Sequence, residues 1–110
     1  MSINSDAADI LEAAAFVIGT GHHAKGPYAR TSNGLLSDLH APDAHKWDVY
    51  AAMLCAQDSL AVSSWAFMAA INALQAEVRY INEWNDAPER TPAEVEAAML
   101  KAAAKLRGEA

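Results

Sequence analysis

Four histidines and one cysteine are the side chains of this 110-residue chain most suited to metal or nucleophilic chemistry. His22 and His23 adjoin in a Gly-rich stretch, and Asp38, His40, Asp43 and His45 crowd the stretch after it. Imidazole and carboxylate suit zinc and other divalent transition metals. Adjacent histidines rarely share one ion, however, and Asp-x-His-x-x-Asp-x-His is not an established ligand spacing. The pattern reads as solvated loop histidines, with neither metal nor cofactor. Cys55 follows Met53 and Leu54 near the far end of an Ala-rich helical run. There the helix dipole raises a thiol's pKa, whereas a nucleophilic cysteine needs it lowered. A buried, inert thiol is expected, and no catalytic residue is assigned. The sequence holds no G-x-S-x-G, P-loop, G-x-G-x-x-G, H-E-x-x-H or C-x-x-C motif. Gly19-Thr20-Gly21 is a fragment that follows a helix, the wrong order for a phosphate cradle.

The densest polar run between two helices is Trp84-Asn85-Asp86-Ala87-Pro88-Glu89-Arg90-Thr91. An indole beside Asn, Asp and Arg can line a pocket for a small molecule or a peptide. With Tyr28 and Arg30 of the earlier loop, Trp84, Asn85, Asp86 and Arg90 are the candidate ligand- or partner-binding residues. The same side chains have a structural use. Trp84 can plug the end of a long helix, and Asn85 and Asp86 can bond free backbone groups in the turn that leads to Thr91. Arg90 can pair with Asp86 or with an acid elsewhere.

Three segments together carry a resemblance. Gly26-Pro27-Tyr28-Ala29-Arg30, Ala44-His45-Lys46-Trp47 opening a helix, and Trp84-Asn85-Asp86-x-Pro88-x-Arg90-Thr91-x-x-Glu94-Val95 span most of residues 8–106. In this the chain resembles a family of small bacterial and bacteriophage proteins of unassigned activity. Members of that family often carry Cys and Gly-Ala in the second helix, where this chain has Asp48-Val49-Tyr50-Ala51-Ala52. The resemblance implies a compact protein of bacterial or phage context and implies no reaction.

These residues must be positioned by helices. Alanine supplies 26 residues and β-branched types are few, a composition that favours helix over sheet. A first helix over 6–18 starts at Ser5 or Asp6, turns Ile10, Ala14, Val17 and Ile18 to one face, and stops at Gly19 and Gly21. Residues 19–42 hold four of the five glycines. Within them Ser32-Asn33-Gly34 marks a turn, so Tyr28–Arg30 and Leu35-Leu36 can form a short hairpin, with a packed irregular loop as the alternative. Pro42 and Asp43 suit the first turn of a second helix over 42–57, with Trp47, Tyr50 and Leu54 facing the core. Leu60, Ser64, Phe67, Ile71, Leu74, Val78, Ile81 and Asn85 alternate spacings of four and three, which predicts one long helix over 59–84 or two pieces bent near Gln75. Thr91-Pro92-Ala93-Glu94 is a capping box that opens a last helix over 92–107, ended by Gly108. The expected fold is all-α: one domain, a compact bundle of about four helices with a Gly-rich N-terminal loop or short hairpin.

Composition also bounds function. Collagen, a disulfide scaffold and a disordered chain are excluded by 5 Gly, 1 Cys and 53% hydrophobic residues. A net charge of −6 argues against direct phosphate binding to nucleic acid, which needs Lys and Arg to displace counterions. Polar residues interrupt the longest uncharged stretch, and the N-terminus lacks a signal-peptide pattern. A soluble cytoplasmic protein is expected, with no membrane association. Three function classes remain: a small acidic interaction or regulatory protein that binds a host protein, a small-molecule- or metal-binding domain or enzyme built on the Tyr28/Arg30 loop and the Trp84-Asn85-Asp86 block, and a structural subunit that self-assembles through the long helix. The first is favoured.

Overall fold

The computed structural model describes residues 2–26 and 29–109. Pro27 and Tyr28 lie outside the described residues. Helix α1 (Ile3–Val17) begins where Ser2 Oγ accepts the Ser5 N–H at 3.0 Å, three residues before the expected start. It does not stop at Gly19. A π-helical turn, Ile18–His22, carries it onward until Gly21 turns to φ 97°. Helix α5 (Pro92–Glu109) opens on the predicted capping box. Thr91 N–H donates to Glu94 Oε1 at 3.0 Å while Glu94 N–H donates to Thr91 Oγ1 at 3.2 Å. Gly108 lies inside this helix and does not end it.

The second helix starts later than the sequence reading places it. The segment after the glycines is a three-stranded antiparallel sheet in the order β2-β1-β3, with β1 at Ala29–Arg30, β2 at Leu36–Ser37 and β3 at Lys46–Trp47. The expected hairpin is its first half, pairing Ala29 with Ser37 and Arg30 with Leu36 around Gly34 at φ 85°. The third strand was not anticipated. It draws Lys46 and Trp47 into extended backbone, and the His45 N–H donates to Arg30 O at 2.8 Å. Extended residues cannot be helical, so α2 (Val49–Leu60) starts at Asp48 and not at Pro42, and Trp47 reaches the core from a strand.

The long helix over 59–84 is three pieces. Ala61 adopts left-handed φ 54°, Ser63 Oγ caps the Ala66 N–H at 3.1 Å, and α3 (Ser64–Val78) begins there. Arg79 then turns to φ 70° and α4 (Ile81–Asp86) follows, so the break falls four residues past Gln75. The predicted seam works within the chain in its middle: Phe67, Ile71 and Leu74 are buried, as are Ile81 and Asn85. Its first members, Leu60 and Ser64, are exposed.

The fold is an all-α bundle with a small sheet at one end. Helix α1 packs against α5, α3 and α2 around Ile10, Leu11, Leu74 and Met99, all fully buried. Burying such side chains contributes roughly 1.5–3 kcal/mol each. Arg107 ties α5 to α1 by bonding Asp9 at 2.7 Å and Glu12 at 2.8 Å. Among the described residues no helix is long and apolar enough to cross a membrane.

Candidate functional site

The Trp84-Asn85-Asp86 block proves to be a hub that joins distant segments. Asn85, 1% exposed, uses both ends of its amide. Its Oδ1 accepts from His23 Nε2–H at 2.7 Å and from the Val49 N–H at 3.4 Å. Its Nδ2 donates to Ala24 O at 3.2 Å and to Asp86 Oδ1 at 2.8 Å. Asp86 Oδ1 also accepts the Gly26 N–H at 2.7 Å, and Gly26 sits at φ 86°, where a residue without Cβ is favoured. Lys25 Nζ donates to Ala87 O at 2.6 Å and to Pro88 O at 2.9 Å. The glycine loop and the block, about sixty positions apart, are therefore one unit that also anchors the start of α2.

This corrects the expected local role. Asn85 and Asp86 bond the 23–26 loop and α2 instead of the turn toward Thr91. Arg90 pairs with Glu94 at 3.2 Å and not with Asp86, donates from Nε to Trp84 O at 3.1 Å, and stacks 4.8 Å over the indole. Trp84 is half-buried against the core. Arg30 lies beside Gly26, within 3.1 Å of where a Cβ there would sit, and Tyr28 is outside the described residues.

The histidines are more engaged than solvated loop residues would be. His22 Nδ1–H donates to His45 O at 2.7 Å and the two rings meet edge-on at 4.9 Å. Among the described residues no group of three or more His, Cys, Asp or Glu is placed to hold a metal ion. One thiol–imidazole–carboxylate arrangement escaped the sequence reading, because its members come from a loop and a helix. Asp58 accepts from His40 Nε2–H at 2.9 Å, which leaves the Nδ1 lone pair 3.9 Å from Cys55 Sγ. Burial and, after it, the Asp58 charge push the Cys55 thiol up, so it rests protonated.

A cavity opens between α2 and α4 beside the block. It measures about 320 Å³, with Leu39, Tyr50, Ala51 and Leu54 as walls and Asp48, Asp86 and Asn82 as its polar groups. The Leu39 wall is pinned from behind, since its carbonyl accepts from Trp47 Nε1 at 3.0 Å and from Cys55 Sγ at 3.6 Å. Of the residues singled out in the sequence only Asp86 lines this cavity; Arg30, Trp84, Asn85 and Arg90 do not. Asp48 was missed because Pro42 and Asp43 offered an earlier helix start. A second cavity of about 310 Å³ shares Tyr50 and Asn82 with the first and runs on to Arg79, Tyr80 and Glu83. The two cavities are neighbours on the α2–α4 face, and the pair is termed the groove.

Asp48 dominates the electrostatics of this groove. It is 6% exposed, and its Oδ1 caps α2 by accepting the Ala51 N–H at 2.8 Å. Burial lifts its pKa to about 6; the cap bond opposes that rise and the Asp86 charge adds to it. A raised carboxyl pKa stabilises the fold only at low pH. That contribution is complete below the unfolded value near 4 and is lost as pH rises through about 6. At neutral pH the ionised Asp48 therefore weakens the fold. Asn caps a helix as well as Asp does. Asp48→Asn should thus raise stability by about 1 kcal/mol at pH 7.5, with screening by water in the open groove already discounted. It should also flatten the stability profile between pH 4 and 7, and urea melts across that range check both.

The chain belongs to a family of unknown function (DUF6197), whose sequence model matches residues 3–105. No curated protein and no solved structure matches it.

Proposed function

We propose that this member of the family is a small interaction protein, of bacterial or phage origin and acting in the cytoplasm, that docks a host protein in the α2–α4 groove. The observation that carries this reading is the groove's form. Two neighbouring cavities that share Tyr50 and Asn82 offer adjacent subsites, an arrangement that suits successive side chains of an extended stretch of chain. Tyr50 and Tyr80 stand along it, 43% and 65% exposed, and tyrosine is enriched where proteins meet. The net charge of −6 suits a basic partner.

A photo-crosslinking amino acid at Tyr50 tests this, with the same probe at Leu100, exposed on α5, as the control. In host lysate the Tyr50 probe should give a discrete adduct that excess unlabelled protein competes away and that Asp48→Asn abolishes. Equal adducts from Leu100, or adducts that survive Asp48→Asn, would overturn the reading.

A further inference from the structure

We infer that the deep end of the groove receives a cationic side chain, lysine or arginine, presented by the partner protein, with its nitrogen between Asp48 and Asp86 and its methylene stem against Leu39 and Leu54. This rests on the groove being a docking site and adds the chemistry of what enters it.

The two halves of the groove differ in charge. The outer half mixes Arg79 with Glu83, whereas the inner half has two carboxylates and no cation among its lining residues. Burial first, and the Asp86 charge after it, raise the cost of ionising Asp48, and an incoming cation offsets that cost. Asp48 is more than nine-tenths buried and lines the cavity, with Oδ1 committed to the Ala51 N–H. No hydrogen bond from a described residue reaches its Oδ2, and that oxygen is not among the buried acceptors left without a partner, so it opens to solvent on the cavity side, where an incoming donor can reach it. A bond from a cationic donor is stronger than one from a neutral donor, so a cation replaces water at this oxygen most favourably.

The walls and the volume define the rest of the group. Leu39, Ala51 and Leu54 offer no hydrogen-bonding side chains, which fits the methylene stem of a long basic residue. A bare metal ion would leave most of 320 Å³ unfilled, and no cluster of three ligating residues is present among the described ones. An acidic side chain would be repelled by Asp48 and Asp86, and a neutral donor could bond one carboxylate without offsetting their charge.

The test uses blocked pentapeptides, acetyl-Gly-Gly-X-Gly-Gly-amide with X as lysine, arginine or norleucine, titrated into the nitrogen-15-labelled full chain at pH 7.5. Lysine and arginine peptides should shift the amide signals of Asp48–Ala51 and Asn82–Asp86, and should bind at least about tenfold tighter than norleucine, which keeps the stem and lacks the charge. Asp48→Asn, which keeps the cap, should remove that preference. The inference is overturned if norleucine binds as well as lysine, if the lysine-induced shifts lie elsewhere, or if Asp48→Asn leaves the preference intact. Free cadaverine binding more tightly than the lysine peptide would likewise overturn the assignment to a protein side chain. The two readings fail separately. Charge-selective peptide binding without a Tyr50 adduct overturns the docked protein, and with it the assignment of the cation to a partner, and leaves only a cation-binding cavity. An Asp48-dependent adduct without charge selectivity keeps the docked protein and overturns the cation.

Discussion

Asn85→Ala is expected to lower the unfolding free energy by about 3–5 kcal/mol, the largest effect of any single polar residue in this fold. The side chain is almost fully buried, and its amide bonds four partners drawn from the 23–26 loop, the start of α2 and α4 itself. Truncation leaves His23 Nε2–H, the Val49 N–H and Ala24 O without partners in a space too small to hydrate freely, and each orphan costs about 1–3 kcal/mol. Losing that much from a domain whose total stability is about 5–15 kcal/mol brings it close to unfolding at 37 °C. Asn85→Asp separates the hydrogen bonds from the packing. It retains the acceptor but loses the donor to Ala24 O and sets a charge beside Asp86, so it should also be destabilised at pH 7.5 and should recover partly on acidification. Urea midpoints for both variants read this directly; a shift below about 0.5 kcal/mol for the alanine variant would mean that the hub is not cooperative with the core.

Trp84→Ala is expected to cost about 2–3 kcal/mol, below the usual range for a fully buried aromatic. The indole is half-buried, so less apolar area returns to water, but truncation also strips Arg90 of the ring it stacks on. Arg90 bonds Trp84 O and Glu94, and Glu94 forms the capping box of α5, so loss of the stack should loosen the start of that helix too. Trp84→Phe, which keeps a ring under the guanidinium, should recover more than half of the loss. An unchanged midpoint for Trp84→Ala would place the indole outside the packed structure and reopen it as a recognition residue.

Physical chemistry explains which parts of this architecture the sequence revealed. The start of α5 was legible because a capping box is a local signal, complete within four residues. The core side of α3 was legible because Phe67, Ile71 and Leu74 keep helical spacing whatever happens at the ends. The ends themselves were not. Ala61 and Arg79 carry positive φ without glycine, and nothing about either residue type announces a turn. The start of α2 was misplaced because Pro42 and Asp43 form a good local helix signal that the pairing of Lys46–Trp47 with β1 overrides, and such pairing is a tertiary fact.

The site followed the same division. Asp86 could be picked out because it lies in a dense polar run. Its neighbours in that run turned inward to hold the fold, and its companion in the groove is Asp48, thirty-eight positions earlier. Asp48 carries one weak signal, an N-cap residue type before Val49-Tyr50-Ala51. Burial beside a second carboxylate supplies the reason for attention, and only the fold shows it.

The claim that joins these observations is that Asp48 is a binding group held at the expense of stability. The most direct test measures both quantities on the same samples, with wild-type chain and Asp48→Asn compared at pH 7.5 for urea stability and for lysine-peptide affinity. The account predicts opposite movements: stability rises by about 1 kcal/mol while affinity falls by at least about tenfold. A variant that loses stability and binds the peptide as well as wild type would contradict it, and would make Asp48 a helix cap and nothing more.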